Sequence, residues 1–327
     1  MNRTLLRLLR GREQELRDRY GITFKVTGIA SRRLGWIADP AGLSASLLEN
    51  AAASPPASSR ELTNVRDWLR AARADVLFEA TSLNVENGQP AIDHIRAALE
   101  GGAHAITANK GPVVHAYREL SDLSKRAGKQ FLFESAVMDG VPIFALFREN
   151  LPVLDLRGFH GILNSTTNII LSEMEAGSTF AESLAKAQAL GVAETDASYD
   201  IDGWDAAVKV AALATVLMGI PTTPDRIARK GIRELSAETV RAAKQSGRRY
   251  KLVCRAQCVG DSVKATVQPE ILPSTDPMAQ VDGSSSIICF ETDIFPNLVI
   301  TENNPGLDAT AYGMLADFVR AAKRDPA

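Results

Sequence analysis

Cysteine is scarce in this chain of 327 residues: Cys254, Cys258 and Cys289 are the whole complement. An odd number in a large chain gives no disulfide framework, and the spacing of Cys254 and Cys258 is not a CxxC motif. Histidine is nearly as rare, and His94, His104, His115 and His160 do not flank the cysteines. The expectation is three reduced thiols in a cytoplasmic protein, Cys254 and Cys258 on one face of a strand. An excess of one charge is also missing: Lys plus Arg is 37 and Asp plus Glu is 39, a net charge of −2. That excludes the basic balance a nucleic-acid-wrapping protein needs, so no nucleic-acid partner is expected. No apolar run approaches the ~18 residues of a membrane span, so no membrane partner is expected either. The opening, MNRTLLRLLRGREQELRDRY, is basic and leucine-rich. It lacks the continuous apolar core and small-residue cleavage site of a signal peptide.

What is present is ordinary globular composition, 45% hydrophobic and 23% charged. At ~100–200 residues per domain, the length suits two domains. Leu5, Leu8, Leu9, Leu16 and Tyr20 recur at helical spacing, and Gly21 closes that helix. FKVTGIAS (24–31) is β-branched and apolar and predicts a buried strand. Residues 36–60 are rich in Ala, Ser and Pro and predict a surface excursion with one short helix. Helices at 61–73, 89–101 and 112–127 then alternate with strands at 75–82, 103–109 and 129–137. Near-continuous apolar strands alternating with helices indicate a parallel sheet covered by helices, an α/β domain.

Beyond residue 137 the rhythm changes. A helix is predicted at 141–150, a strand at 153–163, and helices at 166–176, 179–190 and 203–219. Residues 250–272 and 285–295 alternate like antiparallel strands, with no covering partner evident in sequence. Helices followed by a run of strands suggest a separate α+β domain. The division expected is 1–136 and 137–302, with a terminal helix in 303–327 packing back on the first domain through Leu307, Ala311, Met314, Leu315, Phe318 and Val319.

Parallel α/β sheets bind ligands at the carboxyl ends of their strands. Three such ends carry small, polar or charged residues: Ala30-Ser31-Arg32-Arg33, Ala80-Thr81-Ser82 and Thr107-Ala108-Asn109-Lys110. In a dinucleotide-binding sheet an acid at the first position selects NAD, and arginine accommodates the 2′-phosphate of NADP. Two arginines and no acid lean toward NADP, against the plainer reading of two solvated loop arginines. Lys110 can reach a substrate or simply face solvent. The stretch LGVAETDASYDIDGWDAAVK (190–209) sets five acids within residues 194–205, then a lysine. Asp205 and Lys209 share a face at i and i+4 on an otherwise apolar helix, so they should be partly buried and paired. The pair is either a structural salt bridge or a site in which burial lowers the lysine pKa toward proton transfer.

At these residues the chain resembles the homoserine dehydrogenases, which interconvert L-homoserine and L-aspartate 4-semialdehyde with NAD(P). The motifs that carry the resemblance are TANK (107–110), ESAVMDGVPI (134–143), GILNSTTNII (161–170), LGVAETDASYDIDGWDAAVK (190–209) and NNPGLDATA (303–311). They run in family order, without a kinase domain or a regulatory ACT domain, as in the short monofunctional form. The resemblance implies a Rossmann-like domain followed by an α+β substrate and dimerisation domain, a homodimer, and a place in threonine and methionine biosynthesis. It implies Lys209 as proton donor and acceptor and Lys110 beside the nicotinamide. Glu194, Asp200 and Asp205 would hold the amino acid, with Thr166 and Ser165 at the substrate loop. Arg33, Thr81, Ser82, Lys110 and Gly306 would contact NADP, or NAD. Main-chain oxygens of Val137, Asp139 and Val141, with Glu134, match a sodium site. Ser165 and Val192 stand where the family commonly has Gly and Tyr, and Met138-Asp139 where it has Gly-Ala. The strand and GxGxxG turn with which the family opens are absent from the sequence. Three expectations follow: a homoserine dehydrogenase written from a start codon too far downstream, a truncated non-catalytic homologue that binds or oligomerises, and an oxidoreductase of a related amino acid. For the chain as given, weak NADP affinity and instability are expected.

Overall fold

A computed structural model describes residues 1–31, 34–44, 48 and 62–324. The chain divides into two compact units. One holds Met1–Pro112, Ala116–Ser135 and Thr310–Ala327, the other Val113–His115 and Ala136–Ala309.

The first unit opens with α1 (Asn2–Gly11) and α2 (Glu13–Tyr20), two helices where the leucine pattern predicts one. The break falls at Arg12, after Gly11, a poor helix former. Leu5, Leu9 and Leu16 still face one core. β1 (Gly28–Ser31) and β2 (Gly35–Ala38) form an antiparallel ribbon, pairing from Gly28 with Ala38 to Ser31 with Gly35. This corrects the expected buried strand over 24–31, which is shorter and stands outside the parallel sheet. The chain turns back because the Leu34 N–H donates to Ser31 Oγ (3.0 Å). It also corrects the expected excursion: residues 36–38 complete β2, and Ile37 is 1% exposed. Arg32, Arg33, 45–47 and 49–61 lie outside the described residues, and with them the expected short helix.

α3 (Val65–Ala72) starts at Asn64, whose side chain accepts from the Asp67 N–H, and its Trp68 Nε1 donates to the Ile37 carbonyl (2.8 Å). β3 (Val76–Glu79), α4 (Ala91–Glu100), β4 (His104–Thr107), α5 (Lys110–Ala127) and β5 (Phe131–Leu132) follow. The strands pair in parallel in the order β3-β4-β5. The predicted strand 129–137 is cut to two residues because a 3₁₀ turn begins at Glu134. A buried cluster joins Leu5, Leu9 and Leu16 to Ile106, Leu132 and the inner face of α12 (Leu307–Arg324): Ala311, Met314, Leu315, Phe318 and Ala321.

In the second unit the predicted helix 141–150 is one α-turn, α6 (Ile143–Ala145), running into a π-helical turn over Leu146–Asn150. β6 (Leu156–Ile162) then leads into α7 (Ser165–Ala176) and α8 (Phe180–Ala189), the latter opened by a Thr179/Glu182 capping box. After these come α9 (Ser198–Ile201), α10 (Trp204–Leu217), β7 (Ala228–Arg229), α11 (Ala237–Gln245), β8 (Arg248–Val259), β9 (Ser262–Pro273), β10 (Ser286–Thr292) and β11 (Leu298–Glu302). They build a six-stranded sheet in the order β11-β10-β6-β8-β9-β7, antiparallel except where β7 meets β9. Helices α7, α10 and α11 lie against β8, so the strands do have a covering layer. β7, β11 and α11 have no counterpart in the pattern reading: two residues are too few to show a period, and α11 is mostly polar.

Candidate active site

The acidic segment acquires its geometry from two helix starts. α10 begins after Gly203, which adopts a positive φ of 81° where a side chain would be strained. This turn separates Asp200, on α9, from Asp205, in the first turn of α10. One helical turn on, the Lys209 ammonium stands 2.9 Å from Asp205 Oδ2 and donates to the Leu163 carbonyl (2.5 Å) at the end of β6. The next residue but one after β6, Asn164, caps α7. Its Oδ1 accepts from the Thr167 N–H (2.9 Å) and its Nδ2 donates to both Asp200 Oδ1 (2.6 Å) and Asp205 Oδ2 (3.0 Å). A single amide thus bridges two carboxylates, and one of these holds the lysine.

The electrostatics follow from burial. Desolvation and the like charge of Asp205 push the Asp200 carboxyl up, against the Asn164 amide and Lys209. For Lys209 desolvation acts downward, but Asp205, Asp139 and Asp200 outweigh it and the net shift is upward. This corrects the sequence-based expectation that burial lowers it: three carboxylates surround the ammonium, and Coulomb attraction grows where water is excluded. The Tyr199 hydroxyl is buried with no hydrogen-bond partner among the described residues. Burial, then Asp205 and Asp200, hold it well above its ordinary range. An unpaired buried hydroxyl beside two carboxylates fits a polar ligand group.

Other expected residues are placed less centrally. Thr166 is buried and donates to the Val192 carbonyl (3.4 Å), and Ser165 donates to the Ser284 carbonyl (3.0 Å). Glu194 is exposed, its carbonyl accepting from Gln188 Nε2 (3.2 Å), and among the described residues no hydrogen bond joins it to Asp200 or Asp205. Asn164, Tyr199 and Glu302 are not expected from the sequence pattern, yet each interacts with a charged residue of this cluster. Glu302 ends β11, and burial with Asp139 nearby raises its carboxyl to about 7. Asn164 lies within a quoted motif, but nothing in a sequence distinguishes a capping amide from a bridging one.

In the first unit the carboxyl ends of β3 and β4 are tied by Glu79, 2% exposed. Its Oε1 accepts from the Thr81 N–H (2.7 Å) and hydroxyl (2.5 Å), and its Oε2 from Thr107 Oγ1 (2.7 Å). Asn109 Nδ2 donates to the Thr81 carbonyl (3.2 Å), and its Oδ1 accepts from the Gly111 N–H (2.9 Å), capping α5. Thr81 and Ser82 are exposed on this crest and Lys110 is half-buried at the start of α5. Gly111 allows the close approach: a Cβ there would lie 2.8 Å from Gly88 Cα. A polar crest at strand ends, with small residues and a helix N-terminus, fits a dinucleotide. Arg33 lies outside the described residues, and Gly306 belongs to the second unit.

For the sodium set, Met138 and Asp139 both take positive φ (53°), a conformation costly for methionine and more readily adopted by aspartate. Val141, already accepting from the Ile143 N–H (2.8 Å), and Val137 and Asp139 belong to the second unit, and Glu134 to the first. The Glu134 carboxylate is within 3.8 Å of Arg320 Nη1, which fits a cation there poorly. Among the described residues no group of three His, Cys, Asp or Glu side chains can hold a metal, the three cysteines are free, and no helix is long and apolar enough to cross a membrane.

Two family profiles cover the chain. "Homoserine dehydrogenase, NAD binding domain" matches residues 2–134 and "Homoserine dehydrogenase" residues 142–319. The chain belongs to the homoserine dehydrogenase family. An NAD(+)-dependent homoserine dehydrogenase of Pseudomonas canavaninivorans is 34% identical over 325 residues, 98% of this chain and 92% of that protein. The homoserine dehydrogenase of Methanocaldococcus jannaschii is 35% identical over 265 residues, 81% of this chain and 77% of that one. Among solved structures, the Thiobacillus denitrificans homoserine dehydrogenase matches with a TM-score of 0.82 at 30% identity, covering 98% of this chain and 70% of that one. A hyperthermophilic archaeal homoserine dehydrogenase in complex with NADPH matches with a TM-score of 0.80 at 26% identity, covering 99% and 95%. The homoserine dehydrogenase fold, an α/β NAD-binding part and a part with a larger mixed sheet, is the fold of this chain.

Proposed function

We propose that the chain is an NAD(P)-dependent oxidoreductase that interconverts L-homoserine and L-aspartate 4-semialdehyde through Lys209, Asp205, Asp200 and Asn164. The observation that carries this reading is the half-buried Lys209–Asp205 pair (2.9 Å) bridged by Asn164 to Asp200. A structural ion pair needs no second carboxylate, and a carboxyl raised by burial and a like charge is an arrangement that active sites use.

When bound, the nicotinamide supplies the hydride or takes it up. The protein's part is the proton and the orientation. With its pKa raised, Lys209 is an ammonium at neutral pH, so in the reducing direction it donates the proton to the carbonyl oxygen. In the oxidising direction it must first lose a proton, so homoserine oxidation gains with rising pH. Asp205 holds that ammonium in place, and Asp200 faces the substrate's own ammonium. Thr166, Ser165 and the Tyr199 hydroxyl complete the substrate contacts, with Glu194 a further carboxylate toward the amino group. Thr81, Ser82 and Lys110 hold the dinucleotide, and Gly306 is the further cofactor contact that the resemblance implies. Arg33 favours NADP, so Arg33→Ala should raise KM for NADPH while leaving KM for NADH unchanged. A sodium ion would rest on the Val137, Asp139 and Val141 carbonyls. A homodimer through the second unit, a cytoplasmic location fitting three unpaired thiols, and service in threonine and methionine biosynthesis complete the reading.

The test is NADP or NAD reduction with L-homoserine beside aspartate and other amino acids. Turnover with homoserine alone is expected. Turnover with a different amino acid would favour a related oxidoreductase, and none with any would favour a binding homologue.

A further inference from the structure

Lys251 lies on β8 and is 0% exposed, yet no step of the reaction uses it. A buried ammonium is tolerated only when its donors are met. All three are: Nζ donates to Asn168 Oδ1 (2.8 Å), to the Val281 carbonyl (2.5 Å) and to Asp282 Oδ1 (3.3 Å). Asn168, on α7, returns the link, its Nδ2 donating to the Val281 (3.1 Å) and Gly283 (3.1 Å) carbonyls. Arg249, two residues away on the same strand, donates to the Ala279 carbonyl (2.7 Å) and to both Asp282 oxygens while pairing with Glu175. The segment 281–285 is therefore pinned to β8 by Lys251 and Arg249 and to α7 by the Asn168 amide, rather than by a ladder of its own.

That segment reaches two others. The Ser284 carbonyl accepts from Ser165 Oγ (3.0 Å) at the start of α7. Ser285 Oγ accepts from the Asn304 N–H (3.0 Å) and lies 3.4 Å from Asn304 Oδ1, directly before Pro305-Gly306. We propose that Lys251 is a positioning residue: its ammonium fixes segment 281–285, and through it both the Ser165 end of α7 and the 303–306 loop. This rests on the roles proposed above for Ser165 and Gly306.

The test uses Lys251→Met in the full chain, with backbone hydrogen exchange and steady-state kinetics. Exchange should rise over 281–285 and 303–306, and KM for homoserine and for the dinucleotide should both rise ~10-fold with kcat within ~3-fold of wild type, as expected when binding geometry loosens and the acid–base pair stays. Unchanged exchange over both segments overturns the proposal, whatever the activity. If wild type does not oxidise homoserine, the functional reading fails while the exchange result still decides the link. Ser285→Ala cuts only the second link and is used if Lys251→Met does not fold. It should raise exchange at 303–306 alone and KM for the dinucleotide ~3–10-fold, the worth of one hydrogen bond. No change in either overturns the proposal.

Discussion

Asn164→Asp is a nearly isosteric change that isolates the bridge between the two carboxylates. The α7 cap survives, because a carboxylate oxygen accepts from the Thr167 N–H as well as the amide oxygen does. What is lost is the donor: two amide-to-carboxylate hydrogen bonds, at 2.6 Å to Asp200 and 3.0 Å to Asp205. Each such bond to a charged group contributes ~1.5–3 kcal/mol, so the loss is ~3–6 kcal/mol before relief. The relief is protonation. Three neighbouring carboxyls cannot all ionise, so the introduced carboxyl is held above the ordinary ~3.9 of an aspartate. A group whose folded pKa is raised stabilises fully below its unfolded pKa and loses that contribution as pH rises through the folded one. The protonated carboxyl also regains one donor. Urea unfolding should therefore find the variant ~3 kcal/mol less stable than wild type at pH 8 and within ~1 kcal/mol of it at pH 4.5. Turnover at pH 8 should fall ~10–100-fold, because Asp205 no longer holds Lys209 in one place. A variant within ~0.5 kcal/mol of wild type at both pH values, with unchanged kcat, would refute the bridge as a structural and functional element.

Lys209→Met removes the proton donor while keeping the stem's bulk. kcat should fall at least ~100-fold with KM for homoserine little changed, and an undiminished kcat would remove Lys209 from the chemistry. Glu302, held at about 7 against an ordinary 4.5, stabilises the fold below pH 4.5 and loses that contribution as pH rises through 7. Glu302→Gln should accordingly flatten the decline of melting temperature between pH 4.5 and 8, and parallel curves for the two proteins would show that Glu302 is not the titrating group. Gly111→Ala brings a Cβ to 2.8 Å from Gly88 Cα, a backbone contact that cannot swing aside. A loss of ~1–3 kcal/mol is expected by thermal unfolding, with weaker dinucleotide binding at the crest that Asn109 caps.

The pattern of apolar residues carried most of the architecture. Strong periodicity placed α5, α7, α10 and α12 to within a few residues, because each must bury a continuous stripe. It placed β8 and β9 because alternation survives in long strands. It failed where length was short or context decided. The segment 24–31 has the composition of a sheet strand, but only Gly28–Ser31 is a strand and it pairs antiparallel with β2, outside the parallel sheet. The stretch 129–137 carries Phe131, Leu132 and Phe133 in a row, yet only Phe131–Leu132 pairs in the sheet.

The sequence alone determined which chemistry is present: a lysine one helical turn from an aspartate on an apolar helix, preceded by clustered acids, and the motifs of one family. Spacing along a helix is a local property, so residues i and i+4 meet wherever the helix forms. Tertiary structure decided the rest. It set the sign of the Lys209 shift, since that depends on Asp139 and Asp200 as well as on burial. It chose Asn164 as the bridge, left Glu194 outside the cluster, and made Lys251 a buried clamp. These are long-range contacts in a medium that excludes water, where the energy of a charge depends on partners that sequence spacing does not specify.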